Sequence, residues 1–499
     1  MTAKKYINVR LILQVIGILL IIEGFFMLLA LPFSCYYGST SFADWNINEV
    51  KHDFWPLLIS ALITSGTGAA MYLFNGIAIR ESIGRREGYI IVSVTWVIIS
   101  FFGALPFVLS GAIPGFTDAF FETISGFTTT GATILVDIES VPKGLLFWRA
   151  TTHWIGGMGI IVLSLAILPF LGIGGMQMYI AEVPGPTPDK LHPRITQTAK
   201  RLWGIYFLLT FIETVLLMFG GLNLFESLSH AFATMATGGF STRNDSITGF
   251  SPYVQYVITG FMFLAGVNFT VHYMALHGKL RDVIHNEEFR YYTFIAFFSA
   301  VVIAVAMFFN NSSGIESAFR DASFTVVSIM TTTGFVTANY LNWPVAIWFI
   351  VFLLMFIGGS AGSTGGGIKV VRQMLLFKNS MLELKRLLHP QAVIPLRMNG
   401  KPVSQEIILR VLAFFLIYLL IFAFGAFVMT LLGLDFSTAI GASIATLGNI
   451  GPGIGHVGPV DNYTIVPEAG KWFLSFLMLL GRLEFFTVLI LFSPSFWKK

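Results

Sequence analysis

A single cysteine, Cys35, is present among 499 residues. This excludes an internal disulfide framework and any zinc or iron–sulfur centre built on several thiolates. Charge is scarce too. Asp, Glu, Lys and Arg make up 11% of the chain, against about 25% in a soluble domain, which leaves too little polar surface to hold the folded chain in water. No soluble domain carries a GxGxxG fingerprint, and Gly367-Ile368-Lys369 does not complete the GK[ST] ending of a phosphate loop. Hydrophobic residues fill the chain instead: they are 55% of it, 50 of them phenylalanine, and mean hydropathy is +0.77. These proportions describe an integral membrane protein.

A spanning helix needs about 20 mostly apolar residues. Such runs occur near 10–32, 55–79, 88–110, 144–170, 196–221, 251–278, 289–310, 343–378, 406–432 and 468–494. The first is too long for a signal-peptide core, has no small-residue cleavage site, and is expected to stay in the mature protein. With the N-terminus inside, 23 of the 30 basic residues fall on the inner face, as the positive-inside rule requires. Both termini are therefore expected in the cytoplasm. The net charge of +4 reflects this asymmetry and gives no reason to expect nucleic acid. The outer face carries fourteen acidic and six basic residues, a negative potential that concentrates cations.

The last eight spans form four pairs, and inside each pair lies a segment too short to cross. These are DAFFETISGFTTTGAT (118–133), ESLSHAFATMATGGFST (226–242), DASFTVVSIMTTTGFVT (321–337) and STAIGASIATLGNIGPG (437–453). They align on Gly131, Gly239, Gly334 and Gly451, spaced 108, 95 and 117 residues apart. Three have an acid thirteen residues before the glycine: Asp118, Glu226 and Asp321. Six residues before it the side chain is small (Ser125, Ala233, Ser328, Ala445), and two before it stands Thr129, Thr237, Thr332 or Asn449.

Each segment reads as a half-crossing helix of about 10–12 residues followed by an extended loop. Non-helical backbone at that depth is tolerated only where protein buries it or water reaches it. Glycine allows positive φ and close approach, so carbonyls can turn to one side and replace the hydration shell of a cation. The helix C-terminus adds partial negative charge there. One such loop alone would read as a tight re-entrant turn; four in one chain read as a cation pore. The cation-coordinating stretch of that pore is assigned to Thr129, Thr130, Gly131, Thr237, Gly238, Gly239, Thr332, Thr333, Gly334, Asn449, Ile450 and Gly451.

A second irregular stretch interrupts the eighth span: Gly358, Gly359, Ser360, Ala361, Gly362, Ser363, Thr364, Gly365, Gly366 and Gly367. From Trp343 to Ile357 there are fifteen residues, about 22 Å of helix, short of a hydrocarbon core about 30 Å thick. The loop is thus expected inside the membrane, beneath the third filter segment, where it can block the path. Arg482, in the last span, is costly at that depth. It either pairs with a carboxylate such as Glu484 or stands below the filter as a positive barrier. Glu23 and Glu213 sit alone in spans, and His153 and His272 show no metal-ligand spacing.

The four loops, the Gly-rich break and the two additional N-terminal spans together resemble the Trk/Ktr/HKT superfamily of cation transporters, most closely its bacterial TrkH-type potassium-uptake subunits. The resemblance covers essentially the whole chain. It implies an all-α integral membrane fold of about ten transmembrane helices: a two-span unit (1–87), then pore repeats at 88–195, 196–288, 289–402 and 403–499 around one ion path. It implies that the four glycines form the selectivity filter, that glycine in all four loops suits potassium, and that the Gly-rich loop with Arg482 acts as the gate. It further implies a bacterial cytoplasmic-membrane location, a homodimer, and a cytoplasmic ring of NAD- and ATP-binding regulatory subunits, with no cofactor in this chain and no enzymatic activity. The fourth loop departs from the pattern at Asn449-Ile450.

Two other functions compete. Ion-coupled symport with protons or sodium uses broken helices too, but in inverted repeats, whereas these four share one orientation. Gly358-Gly359-Ser360-Ala361-Gly362 formally matches G-x-S-x-G, yet an intramembrane serine hydrolase needs a strand-to-helix elbow and a histidine partner.

Overall fold

The computed structural model describes residues 7–38, 53–74, 84–157, 159, 195–310, 314–389, 391–392, 394–483 and 485–498. An N-terminal hairpin comes first. Helix α1 (Val9–Leu28) is capped by Asn8, whose side chain accepts from the Leu11 N–H; a short α2 (Leu31–Gly38) follows, and α3 (Phe54–Phe74) returns against α1. The two long helices touch backbone to backbone. A Cβ added to Gly17 would lie 2.6 Å from the Gly68 carbonyl oxygen, and one on Gly68 would lie 2.5 Å from that of Gly17. Small residues permit such approach between membrane helices.

Four units of one plan follow. The first has α4 (Arg85–Gly103) with α5 (Leu105–Ser110), a short α6 (Phe116–Phe127), and α7 (Lys143–Gly157). The second has α8 (Ile195–Phe219), short α9 (Leu224–Met235), and the pair α10 (Pro252–Ala265) and α11 (Phe269–Leu276), joined through α12 (Leu280–His285) to the third. That unit has α13 (Glu287–Phe309), short α14 (Ile315–Met330), α15 (Val345–Leu354) and α16 (Val370–Leu388). The fourth has α17 (Gln405–Leu431), short α18 (Phe436–Leu447), α19 (Glu468–Leu483) and α20 (Phe485–Leu489).

The bilayer as solvent explains the burial pattern. On α13 and α17, Phe294, Phe297, Leu416, Leu420, Phe424 and Phe427 are all more than half exposed, an apolar surface that water would not tolerate but lipid does. The short helices are the reverse: the stretch Ala119–Phe127 of α6 is buried throughout although it contains Glu122, Thr123 and Ser125. Among the described residues six helices are long and apolar enough to cross a membrane, or eight if each bent pair counts as one span. Of the two other expected spans, the run 144–170 is described only to Gly157 and at residue 159. The run 343–378 is a ten-residue helix, the Gly-rich loop and a second helix.

Two expected spans are corrected. The run 251–278 is not one helix: α10 and α11 meet at 102°. The break is satisfied by the Gly-rich loop, because Ser360 N–H donates to the Gly266 carbonyl at 2.8 Å and Phe269 N–H donates to the Gly362 carbonyl at 3.0 Å. The run 468–494 bends by 116° after Leu483, which places Arg482 in the last turn of α19. The short helices have 12, 12, 16 and 12 residues. The third begins a turn early, so its first-turn acid is Glu316 and not Asp321.

The fourth short helix opens on an exposed cap. Asp435 accepts from the Thr438 N–H at 3.1 Å and from the Ser437 hydroxyl, and these bonds hold its carboxyl down at about 2. A depressed carboxyl stabilises the fold fully above its unfolded value of about 3.9, and that contribution fades as pH falls toward 2. Asp435→Ala is expected to cost about 1 kcal/mol at neutral pH. Wild type and variant should converge as unfolding in detergent is repeated from pH 5 down to pH 2.

Candidate functional site

The four short helices end alike. In each, an N–H just past the helix reaches back five residues: Thr130 to Ser125, Gly238 to Ala233, Thr333 to Ser328 and Ile450 to Ala445, each at 2.8 Å. The preceding N–H closes a tighter turn, from Thr129 to Gly126, Thr237 to Thr234, Thr332 to Ile329 and Asn449 to Thr446. This paired 6→1 and 5→2 arrangement is the Schellman ending. It demands a left-handed residue, and here that residue is Thr129 (φ 51°), Thr237 (φ 55°), Thr332 (φ 60°) or Asn449 (φ 54°). Threonine is a poor choice for that region, since β-branched side chains are strained there. The side chain repeatedly small in the sequence is thus the residue whose carbonyl receives the returning N–H.

Two residues later the chain turns left-handed again, at Gly131, Gly239, Gly334 and Gly451, with φ between 79° and 94°. These glycines are brought together in cyclic order. A Cβ on Gly131 would stand 2.1 Å from the Gly238 oxygen, on Gly239 2.0 Å from the Thr333 oxygen, on Gly334 2.0 Å from the Ile450 oxygen, and on Gly451 2.6 Å from the Thr130 oxygen. Each glycine abuts the carbonyl preceding the next repeat's glycine, and the fourth returns to the first. Taking the side from which the short helices enter as above, a cavity of about 140 Å³ opens over the ring, lined by all four glycines together with Asn244 and Asp461. That is room for several waters.

Polar side chains lock the ring from behind. Glu122 and Arg149 form a buried ion pair at 2.7 Å. Glu122 also accepts from the Thr133 hydroxyl and Ile134 N–H, each at 2.9 Å. Arg149 donates to the Ser241 carbonyl at 3.0 Å and lies 3.5 Å over the Phe240 ring. The Tyr463 hydroxyl donates to the Gly451 carbonyl at 2.7 Å, and that of Tyr340 to the Gly453 carbonyl at 2.6 Å. Glu122 and Arg149 are therefore interior groups, which corrects their expected place on the outer surface.

Below the ring lies the Gly-rich loop. Gly366 N–H donates to the Thr332 hydroxyl at 2.6 Å, and the Thr364 hydroxyl reaches the Met235 carbonyl at 3.0 Å. A Cβ on Gly365 would meet the Thr331 oxygen at 2.9 Å, and one on Gly366 the Gly448 oxygen at 2.7 Å. Lys369 donates to the Gly365 carbonyl. Arg482 completes the circle, donating to Thr364 O at 2.7 Å, Gly156 O at 2.6 Å and Gly157 O at 3.0 Å. Loop and arginine thus touch chain from all four repeats directly under the glycine ring. These three carbonyls are partners of Arg482 among the described residues; Glu484 lies outside the described residues.

Other sequence candidates fall elsewhere. The Ser360 hydroxyl is buried with no hydrogen-bond partner among the described residues, so none of them forms a serine–histidine pair at G-x-S-x-G. Glu23 and Glu213 are fully buried. His272 bonds the Leu264 carbonyl at the α10–α11 break. His153, by contrast, lies against the loop that follows the second short helix, a position that no spacing signalled. Among the described residues no three His, Cys, Asp or Glu side chains gather as a metal site would.

Comparison with known proteins gives a consistent picture. A sequence model of the family described as "TrkH: Cation transport protein" matches residues 67–499. The chain is 44% identical over 464 residues to the "Trk system potassium uptake protein TrkH" of Escherichia coli K12, covering 89% of this chain and 95% of that one. It is 40% identical over 497 residues to the protein of the same name from Halomonas elongata, covering 99% and 100%. Among solved structures it is similar to the potassium transporter TrkH from Vibrio parahaemolyticus, with TM-score 0.84 and 36% identity over 98% of this chain and 100% of that one.

The buried ion pair yields a direct test. Glu122→Gln leaves the Arg149 guanidinium without its counter-charge, and breaking one side of a buried pair costs about 3–5 kcal/mol. Unfolding in detergent should show that loss. The double variant Glu122→Leu/Arg149→Met, which buries no charge, should recover much of it.

Proposed function

The chain belongs to the TrkH family of cation transport proteins, and from that premise we propose that it takes up potassium across the bacterial cytoplasmic membrane by gated conduction through the glycine ring. The observation that carries this reading is the cyclic abutment of Gly131, Gly239, Gly334 and Gly451, each against the next repeat's carbonyl. A closed ring of peptide oxygens at the ends of four half-crossing helices offers a dehydrated alkali ion what water offered it. The helix C-termini add negative potential, and the cavity above, with room for several waters, provides the hydrated approach.

Selectivity is assigned to Thr129, Thr130, Gly131, Thr237, Gly238, Gly239, Thr332, Thr333, Gly334, Asn449, Ile450 and Gly451. Each loop has one matching glycine, followed by Ala132, Phe240, Phe335 or Pro452, so few carbonyl rings stand in series. Discrimination against sodium is therefore weaker than in a tetrameric potassium channel. The loop Gly358–Gly367 is assigned as the gate and Arg482 as its latch. The guanidinium sits under the ring, where a fixed positive charge opposes a cation, and its bond to the Thr364 carbonyl holds the loop across the path. Opening requires that bond to break and the loop to swing aside.

Both termini are placed in the cytoplasm by the basic-residue bias. The basic stretch from Lys369 to Lys401 is read as the docking face for nucleotide-binding regulatory subunits, acting on a homodimer. The relatives are named for uptake, and transport rather than catalysis is the activity assigned here.

Purified protein in liposomes tests this reading. An imposed potassium gradient should drive flux exceeding that of sodium, and equal fluxes would contradict it. Gly239→Ala, with φ 81° and a Cβ only 2.0 Å from the Thr333 oxygen, should reduce potassium flux by about ten-fold or more. Arg482→Ala should raise flux through the closed state; unchanged flux would assign Arg482 a structural role alone.

A further inference from the structure

The four filter loops share one backbone course but not one means of support. In the first repeat the hydroxyls of Thr128 and Thr130 are bonded at 2.7 Å, and Thr128 is anchored to the Ile124 carbonyl at 2.6 Å. The third repeats this with Thr331 and Thr333 at 2.7 Å, anchored to the Val327 carbonyl at 2.7 Å. In the fourth, Gly448 and Ile450 offer no hydroxyls. The Asn449 amide does the work across the interface, donating to Thr130 Oγ1 at 3.0 Å and to the Met478 carbonyl at 2.9 Å. In the second repeat the matching residues are Ala236 and Gly238, with no hydroxyl to offer.

There a histidine from the neighbouring repeat takes that place. His153, on α7 and wholly buried, meets the Gly126 carbonyl through Nδ1 at 2.7 Å and accepts the Phe240 N–H at Nε2 at 3.2 Å. A carbonyl only accepts and an amide N–H only donates, so the ring is the neutral tautomer with its proton on Nδ1. Its face stacks on Phe240 with centroids 4.0 Å apart. The ring also explains why the second loop lacks the threonine found at the matching place in the first and third: a Cβ on Gly238 would fall 2.4 Å from His153 Cγ.

We infer that His153 is the positioning residue of the second filter loop, tying the peptide after Gly239 to the end of the first short helix and so setting which alkali cation the ring prefers. It does not touch the ion. It acts through Phe240 and Gly238. The inference deepens the cation-conduction reading and rests on it.

The experiment compares the permeability ratio of potassium to sodium for wild type, His153→Phe, His153→Asn and His153→Gln in liposomes, with the melting temperature of each in detergent. His153→Phe keeps the stacking and removes both hydrogen bonds, and His153→Asn reaches only the Gly126 carbonyl. Both leave the Phe240 N–H unmet, and the ratio should change by about five-fold or more. His153→Gln, whose amide oxygen can reach that N–H, should stay within about two-fold of wild type. Should His153→Phe fail to fold, the contrast between Asn and Gln decides. A wild-type ratio in both folded Phe and Asn variants, or in Asn alone if Phe does not fold, would overturn the inference. A wild type that does not prefer potassium would overturn the functional reading instead, and whether the variants shift the ratio is read independently of its starting value.

Discussion

Everything in this molecule follows from ending helices halfway through a medium that offers no water to their last peptide groups. An orphaned backbone group there costs several kcal/mol, and four helices impose that cost four times around one point. The returning N–H, 2.8 Å from its carbonyl in all four repeats, removes part of it. It does so only by forcing the residue after the helix C-cap into left-handed backbone, where Thr129, Thr237 and Thr332 are held against their intrinsic preference. The surrounding packing has to exceed that strain, of order 1–3 kcal/mol at each position.

Once the turn is made, each glycine sits against the carbonyl that precedes the next repeat's glycine, and these contacts leave no room for a side chain between one loop and the next. Symmetry of backbone is thus achieved with asymmetry of support. Threonine pairs hold the first and third loops, His153 the second, and Asn449 the fourth. A fourfold ring encoded in one chain can tune each quadrant separately, which a homotetramer cannot. The same logic extends below the ring, where Arg482 draws on carbonyls of α7 and of the Gly-rich loop. The end of α19 and the interruption of the eighth span are two halves of one contact.

The sequence carried the repeat, the membrane class and the Gly-rich interruption openly, because each is a local pattern: apolar length, a Thr-Gly tail, a run of glycines. The four glycines could be aligned because their role is a backbone role that no other residue fills. What stayed hidden depends on partners far apart in the chain. Glu122 and Arg149 looked like surface charges because each stands close to an outer loop, and only the packing of α6 against α7 buries the pair. The bend at Gly266–Asn268 interrupts a mostly apolar run; Asn268 caps the helix that follows, accepting from the Thr270 N–H, and residues nearly one hundred positions later satisfy the break. His153 is a lone imidazole without periodicity, and its function appears only when Gly238 is seen against its ring. The sequence offered the threonines before the glycines only as extra oxygens, whereas their left-handed backbone shows them to be helix terminators.

The account comes down to where a dehydrated cation rests. Crystals of the protein grown with rubidium or thallium in place of potassium give an anomalous signal that locates the ion directly. The expected result is a peak on the axis encircled by Gly131, Gly239, Gly334 and Gly451, lost when sodium replaces the heavier ion. A peak found only outside that ring, or none at all in protein that transports the ion, would contradict the account.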